Sequence, residues 1–113
     1  MNLPNWMEEF PGAITITDEN GIILWMNRQA ILTFEKEGGA ELIGRNVFYC
    51  HRPESQEKIR RILETGQPNI YTVEKQGRKK LIYQTVWTEN RKTRGLVEIS
   101  LEIPRELPHF VRD

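Results

Sequence analysis

Isoleucine and threonine alternate near the start of the chain, over residues 13–18. This alternation places isoleucines on one face and threonines on the other, which predicts a half-buried strand. Residues 22–27 predict a second strand that is apolar on both faces. Between them lies Asp18-Glu19-Asn20-Gly21, whose Asn-Gly pair favours the positive φ of a tight turn. The pattern therefore predicts an antiparallel hairpin.

Three further strands are predicted in the C-terminal half, over residues 70–75, 81–88 and 96–103. In the last strand, one face carries Val97, Ile99, Leu101 and Ile103, and the other carries Glu98, Ser100 and Glu102. In the middle strand, one face carries Tyr83, Thr85 and Trp87, and the other carries Ile82, Gln84 and Val86. The pattern leaves open which face of the middle strand meets the core.

Helical spacing and helix-end residues predict the helices. A short helix over residues 1–10 would carry Leu3, Trp6, Met7 and Phe10 on one face. Asn27 is a typical N-cap for a helix over residues 28–34, and residues 40–43 fit a single helical turn. The longest helix is predicted to begin at Pro53 and to end before Gly66.

The order of these elements predicts the fold class. Hairpins at both ends with helices grouped between them favour an α+β fold over βαβ winding. We expect one five-stranded sheet with helices on one face, because the last strand is apolar on one face only. This divides the chain into an N-terminal helix (1–12), one domain (13–103) and a C-terminal tail (104–113), because Pro104 stops regular structure.

Composition and charge narrow the class of protein. The chain has 113 residues, enough for one domain. Sixteen basic residues balance 16 acidic ones, so we expect no nucleic-acid partner. The longest apolar run, residues 21–26, is far shorter than the ~20 residues of a membrane helix. A single cysteine and the lack of a signal peptide predict a cytoplasmic domain.

Four segments together resemble a PAS domain: Ile14–Asn27, Gly39–Val47, Ile62–Pro68 and Gly95–Ile103. They match the opening hairpin, the Glu-Leu-Ile-Gly segment, the end of the long helix and the closing strand of that family. The resemblance implies an antiparallel sheet of strand order 2-1-5-4-3 with helices on one face. It also implies a sensory or interaction module without catalytic activity, whose pocket lies between the sheet and the middle helices.

The first functional hypothesis is a sensory or regulatory module that binds a small organic ligand and acts through protein–protein interaction. Its expected pocket lining is Phe48, Tyr49, Ile59, Ile62, Tyr83 and Ile99. The second hypothesis is a ligand-free dimerisation module with a filled core. No catalytic residue is expected, because neither a phosphate-binding loop nor a nucleophile elbow occurs in the sequence.

The third hypothesis is a haem-based gas or redox sensor with His51, and Cys50 beside it, as iron ligands. The simpler interpretation is that His51 caps a helix or faces water and that Cys50 packs as a small apolar group. A flavin adduct is not expected, because Val47 stands where the light-sensing subset of the family has its cysteine. No other metal site is expected, since one cysteine and two distant histidines give no zinc-ligand spacing.

The N-terminal helix also predicts an assembly. Two large aromatic residues within ten positions cannot bury themselves alone. We therefore expect a homodimer with Leu3, Trp6, Met7 and Phe10 at its interface. The alternative is that this helix folds back on its own sheet in a monomer. A further signalling protein remains open as a partner.

Overall fold

The computed structural model describes residues 2–47 and 52–113. Its helices are α1 (Trp6–Glu9), α2 (Arg28–Thr33) and α3 (Pro53–Thr65), with 3-10 turns at Glu35–Glu37 and Gly39–Leu42. Its strands are β1 (Ala13–Thr17), β2 (Ile23–Met26), β3 (Asn69–Lys75), β4 (Arg78–Glu89) and β5 (Lys92–Ile103). The strands form one antiparallel sheet in the order β2-β1-β5-β4-β3, which confirms the predicted fold class.

The first hairpin is held by its own turn residues. The Asp18 carboxylate oxygen Oδ1 accepts hydrogen bonds from the backbone N–H groups of Asn20 and Ile22, both at 2.9 Å. Gly21 has a φ of 84°, a conformation that glycine adopts without steric cost. The turn therefore places β2 antiparallel to β1, as the sequence predicts.

Asn27, fully buried at 0% exposure, joins three segments at the end of β2. Its Oδ1 accepts hydrogen bonds from the backbone N–H of Ile14 in β1 and of Ala30 in α2, at 2.9 and 3.0 Å. Its Nδ2 donates to the carbonyls of Gly12 and Met7, at 2.8 and 3.0 Å. The predicted helix cap is confirmed, and the same side chain also holds the N-terminal segment.

The N-terminal helix is shorter than predicted. Among residues 2–10, only Trp6–Glu9 is helical, whereas the sequence pattern predicted a helix over residues 1–10. Asn5 precedes this turn without a side-chain cap, and Pro11 follows closely, so nothing extends the helix at either end. A single turn is marginal by itself, and the hydrogen bonds from Asn27 hold this segment beside α2.

The long helix α3 packs on the sheet through a narrow apolar stripe. Pro53 occupies its first turn, and Gly66 ends it with a φ of 75°, as predicted. Ile59 and Ile62 are its buried residues. They belong to a core with Ala13, Ile23, Met26, Ala30, Leu42, Val47 and Leu96. Within the described residues, no helix is long and apolar enough to cross a membrane.

A bulge near the tip of the β4–β5 hairpin sets which residues face the helices. The register shifts between Trp87 and Thr88, opposite Gly95. Beyond this point Gln84 pairs with Glu98, and both side chains face the helices together with Leu96. The prediction that the helices cover the face of Val97, Ile99, Leu101 and Ile103 is therefore wrong. These four residues lie on the outer face, because side chains alternate along β5 and the alternate positions, which include Leu96 and Glu98, point toward the helices and the cavity.

Candidate ligand-binding pocket

A cavity of about 660 Å³ lies between the sheet and the helices. This volume is within the range of ~300–1,000 Å³ that is usual for small-molecule sites. One side, the polar floor, is formed by the sheet residues Thr15, Asn69, Tyr71, Gln84 and Glu98. The facing apolar wall is formed by Ile23, Met26, Phe34, Leu42, Val47 and Ile59. The remaining lining residues, here called the mouth, are Glu37, Arg45, Ser55 and Lys58.

Strand register places the polar floor residues side by side. Asn69 pairs with Gln84 across β3 and β4, and Gln84 pairs with Glu98 across β4 and β5. Asn69 Nδ2 donates to Gln84 Oε1 at 2.9 Å, and Gln84 Nε2 donates to Glu98 Oε2 at 3.2 Å. Gln84 is only 8% exposed, so these bonds satisfy an amide that would be costly to bury alone. Both amides therefore have fixed orientations, and the chain of donors ends at the Glu98 carboxylate.

Tyr71 adds a phenol to this floor. Burial raises the pKa of the Tyr71 hydroxyl above its usual value, and the nearby Glu98 charge raises this pKa further. The hydroxyl is therefore protonated at neutral pH. It can donate a hydrogen bond to a ligand or accept one from it.

Most of the chain matches one known protein family. Residues 11–99 of the 113 match the family described as PAS domain. The chain belongs to the PAS domain family. It is thus a domain of a sensory and signalling family whose members are typically non-catalytic, and the predicted resemblance is confirmed.

Solved structures show the same fold at low sequence identity. A C-terminal domain from Streptococcus mutans is 16% identical, with a TM-score of 0.70 and 90% of each chain covered. VqmA of Vibrio cholerae bound to DPO is 18% identical, with a TM-score of 0.65 and 88% of the present PAS domain covered. The match spans only 55% of that VqmA chain.

A haem-containing receptor is also similar in fold. The Aer2 receptor of Vibrio cholerae, a dual PAS-heme oxygen sensor, is 14% identical with a TM-score of 0.60. The match covers 82% of the present chain and 95% of that one. No curated protein matches the sequence.

The structure places the predicted pocket residues of this PAS domain in different locations. Ile59 lies in the apolar wall, whereas Ile62 is buried in the adjoining core and is not part of the lining. Tyr83 and Ile99 pair with each other on the outer face, and Tyr83 is 39% exposed. Their assignment to the pocket is wrong, because side chains alternate along a strand and their neighbours Gln84 and Glu98 point inward.

Four predicted site residues, Phe48, Tyr49, Cys50 and His51, lie outside the described residues. Their assignment to the pocket wall or to a haem iron stays a prediction. The described part of the lining contains no histidine or cysteine. The described residues also contain no cluster of three metal-ligating side chains.

Sequence reasoning missed most of the polar floor. The turn at Gln76-Gly77 fixes the register of β3 and β4 and brings Asn69 opposite Gln84. This part could have been predicted from the short turn alone. The pairing of Gln84 with Glu98 could not, because it depends on the bulge opposite Gly95.

Proposed function

We propose that this PAS domain senses a small organic molecule that binds between the polar floor and the apolar wall. The cavity of about 660 Å³ is the observation that carries the proposal. The two sides of the cavity suit an amphipathic ligand. An apolar face of the ligand can be desolvated against the wall, while polar groups at the edge of the ligand form hydrogen bonds with the floor. Occupancy would then be reported to a signalling partner through protein–protein contacts.

Two proteins with a similar fold support this proposal. One is VqmA, which has been solved bound to DPO, and the other is the haem oxygen sensor Aer2. Folds of this kind therefore hold a bound molecule in at least some proteins. For the present chain we favour the first case, because the described lining combines a polar floor with an apolar wall, which suits a small organic molecule.

The cavity also favours a ligand over the filled-core alternative. In a ligand-free interaction module, side chains would close the space between sheet and helices, as in most protein interiors. Among the residues that the structure describes, Ile23, Met26 and Ile59 instead border an open volume. Burying ~150 Å² of apolar ligand surface against such a wall would contribute ~4 kcal/mol to binding.

Native mass spectrometry of the purified protein tests the proposal. We expect a bound small molecule, identifiable after heat release, that is lost in Ser55→Trp, because indole would fill the mouth of the pocket. Glu57→Trp is the matched control, since Glu57 is exposed on the same helix and outside the lining. A Soret absorption band would instead indicate haem. Bound-ligand mass that persists in Ser55→Trp would contradict the proposed site.

We further propose that the domain signals as a homodimer through its N-terminal segment. Trp6 is 63% exposed although it packs edge-on against Phe10, with ring centroids 5.9 Å apart. The Phe10 ring and the outer-face residue Leu101 both lie close to Gly12. A second subunit could cover both the indole and the half-buried residues of that face.

Sedimentation velocity at micromolar concentration tests this assembly. We expect a dimer that dissociates in Trp6→Glu and on deletion of residues 1–10. Leu107→Glu serves as the control, because Leu107 is also apolar and exposed but lies in the C-terminal tail. A native protein that sediments as a monomer, with a sedimentation coefficient unchanged in these variants, would refute the dimer. The N-terminal segment would then fold back on its own sheet.

A further inference from the structure

The Glu98 carboxylate is the one anionic group on the polar floor in the described part of the lining. Its Oε2 accepts a hydrogen bond from Gln84, whose amide is oriented by Asn69. Within residues 2–47 and 52–113, its second oxygen, Oε1, accepts no hydrogen bond. An ionised carboxylate can accept several hydrogen bonds, so acceptor capacity remains unused inside the pocket.

The chain of amides fixes Glu98 as a hydrogen-bond acceptor. Gln84 cannot turn its carbonyl toward Glu98 without breaking its bond from Asn69 and placing two acceptors together. Glu98 is therefore presented to the cavity in a fixed position as an acceptor. The group that complements it best is a donor that carries positive charge, because charge-assisted hydrogen bonds are the stronger kind.

We propose that the pocket selects ligands that present a cationic nitrogen donor, such as an amidinium or a protonated amine, to Glu98. The apolar body of the ligand lies against the wall formed by residues that include Met26 and Ile59. This inference rests on the proposed function, since it assigns the head group of the ligand of that same pocket.

The charged residues of the mouth do not reverse this selectivity. Arg45 and Lys58 are exposed there together with Glu37, so water screens their charges. Glu98 lies deeper, on the half-buried sheet surface. An anionic head group could approach Arg45 or Lys58, but it would leave the floor unpaired or meet the like charge of Glu98.

Three probes with the same apolar body test the proposal: 2-naphthamidine, 2-naphthamide and 2-naphthoate. Isothermal titration calorimetry gives the affinity of each for the full chain. We expect the amidine to bind about ten- to a hundredfold more tightly than the amide, with the carboxylate the weakest. Glu98→Gln should reduce this preference to about threefold or less, because glutamine keeps the shape and removes the charge.

Glu102→Gln is the matched control. Glu102 lies further along the same strand face and outside this pocket, beside Arg78. We expect the preference for the amidine to survive in this variant. An equal loss in both variants, or no preference in the native chain, would overturn the inference.

The same experiment separates the two proposals. If all three probes bind similarly and Ser55→Trp abolishes their binding, the pocket binds ligands and only the cationic selectivity is refuted. If no probe binds, or if Ser55→Trp leaves binding unchanged, both the selectivity and the proposed site fail. Preference for the carboxylate would assign recognition to Arg45 and Lys58 and refute the role of Glu98.

Discussion

Replacing Asn27 by alanine should destabilise the fold more than any surface substitution. The change removes three buried hydrogen bonds, which join Asn27 to the backbone of Gly12, Ile14 and Ala30. A buried backbone group left unpaired costs ~1–3 kcal/mol, although local rearrangement and water recover part of this. We therefore expect Asn27→Ala to lose ~3–5 kcal/mol, a large fraction of the ~5–15 kcal/mol that stabilises a typical domain.

Denaturant unfolding followed by tryptophan fluorescence measures this loss. Asn5→Ala is the matched control, because Asn5 also precedes a helix but forms no side-chain cap. We expect the control to lose less than ~0.5 kcal/mol. A loss below ~1.5 kcal/mol for Asn27→Ala, with an unchanged denaturant m-value, would refute the assigned role of these bonds.

A second variant separates the two halves of the Asn27 side chain. Asn27→Asp keeps the acceptor oxygen for Ile14 and Ala30 but replaces the donor to Gly12 and Met7 by a second oxygen. At neutral pH we expect a loss at least as large as for alanine, because a buried carboxylate would face carbonyl oxygens. Protonation restores one donor, so stability relative to the native chain should improve as pH falls through the raised pKa of the new carboxyl.

Three other perturbations probe the fold and the pocket. Gly95→Ala should cost ~3 kcal/mol in denaturant unfolding, because the added carbon would overlap the backbone oxygen of Thr17; an unchanged midpoint would contradict this. Asp18→Ala should cost ~1–2 kcal/mol in the same assay, since two backbone N–H groups of the turn lose their acceptor, and a neutral effect would contradict it. Glu98→Gln should lower the pKa of Tyr71 in an ultraviolet titration, because burial still raises this pKa but the Glu98 charge no longer does; an unchanged curve would contradict the charge interaction. Since folding raises this pKa, the contribution of Tyr71 to stability is present below pH ~10 and is lost as pH rises through the folded value.

Much of the fold follows from local sequence signals. The turn with Asp18 and Gly21, the cap at Asn27 and the helix ends at Pro53 and Gly66 all occur where the sequence predicts them. Each depends on a residue and its near neighbours, so one sequence is sufficient. The predicted N-terminal helix is too long, because apolar spacing alone does not extend a helix that has no side-chain cap at Asn5 and turns extended at Phe10.

The site depends on features that local patterns do not contain. Alternation in β5 separates Ile99 from Glu98, but it does not say which side the helices cover. An apolar row usually faces the core, yet here Ile99 faces outward and the polar row lines a cavity. The bulge opposite Gly95 determines that Gln84 pairs with Glu98. A register shift of one residue would pair Gln84 with a residue whose side chain belongs to the other row of β5.

Methyl NMR provides the most direct test of the claim that this PAS domain holds a small molecule inside its pocket. The chain would be labelled at isoleucine and methionine methyl groups, and the molecules released by heat from the purified protein would be added back. We predict shifts at Ile23, Ile59 and Met26, which border the cavity, and none at Ile14 or Ile99 on the outer face. Shifts confined to the outer face, or no saturable shift at the pocket methyl groups, would contradict the account.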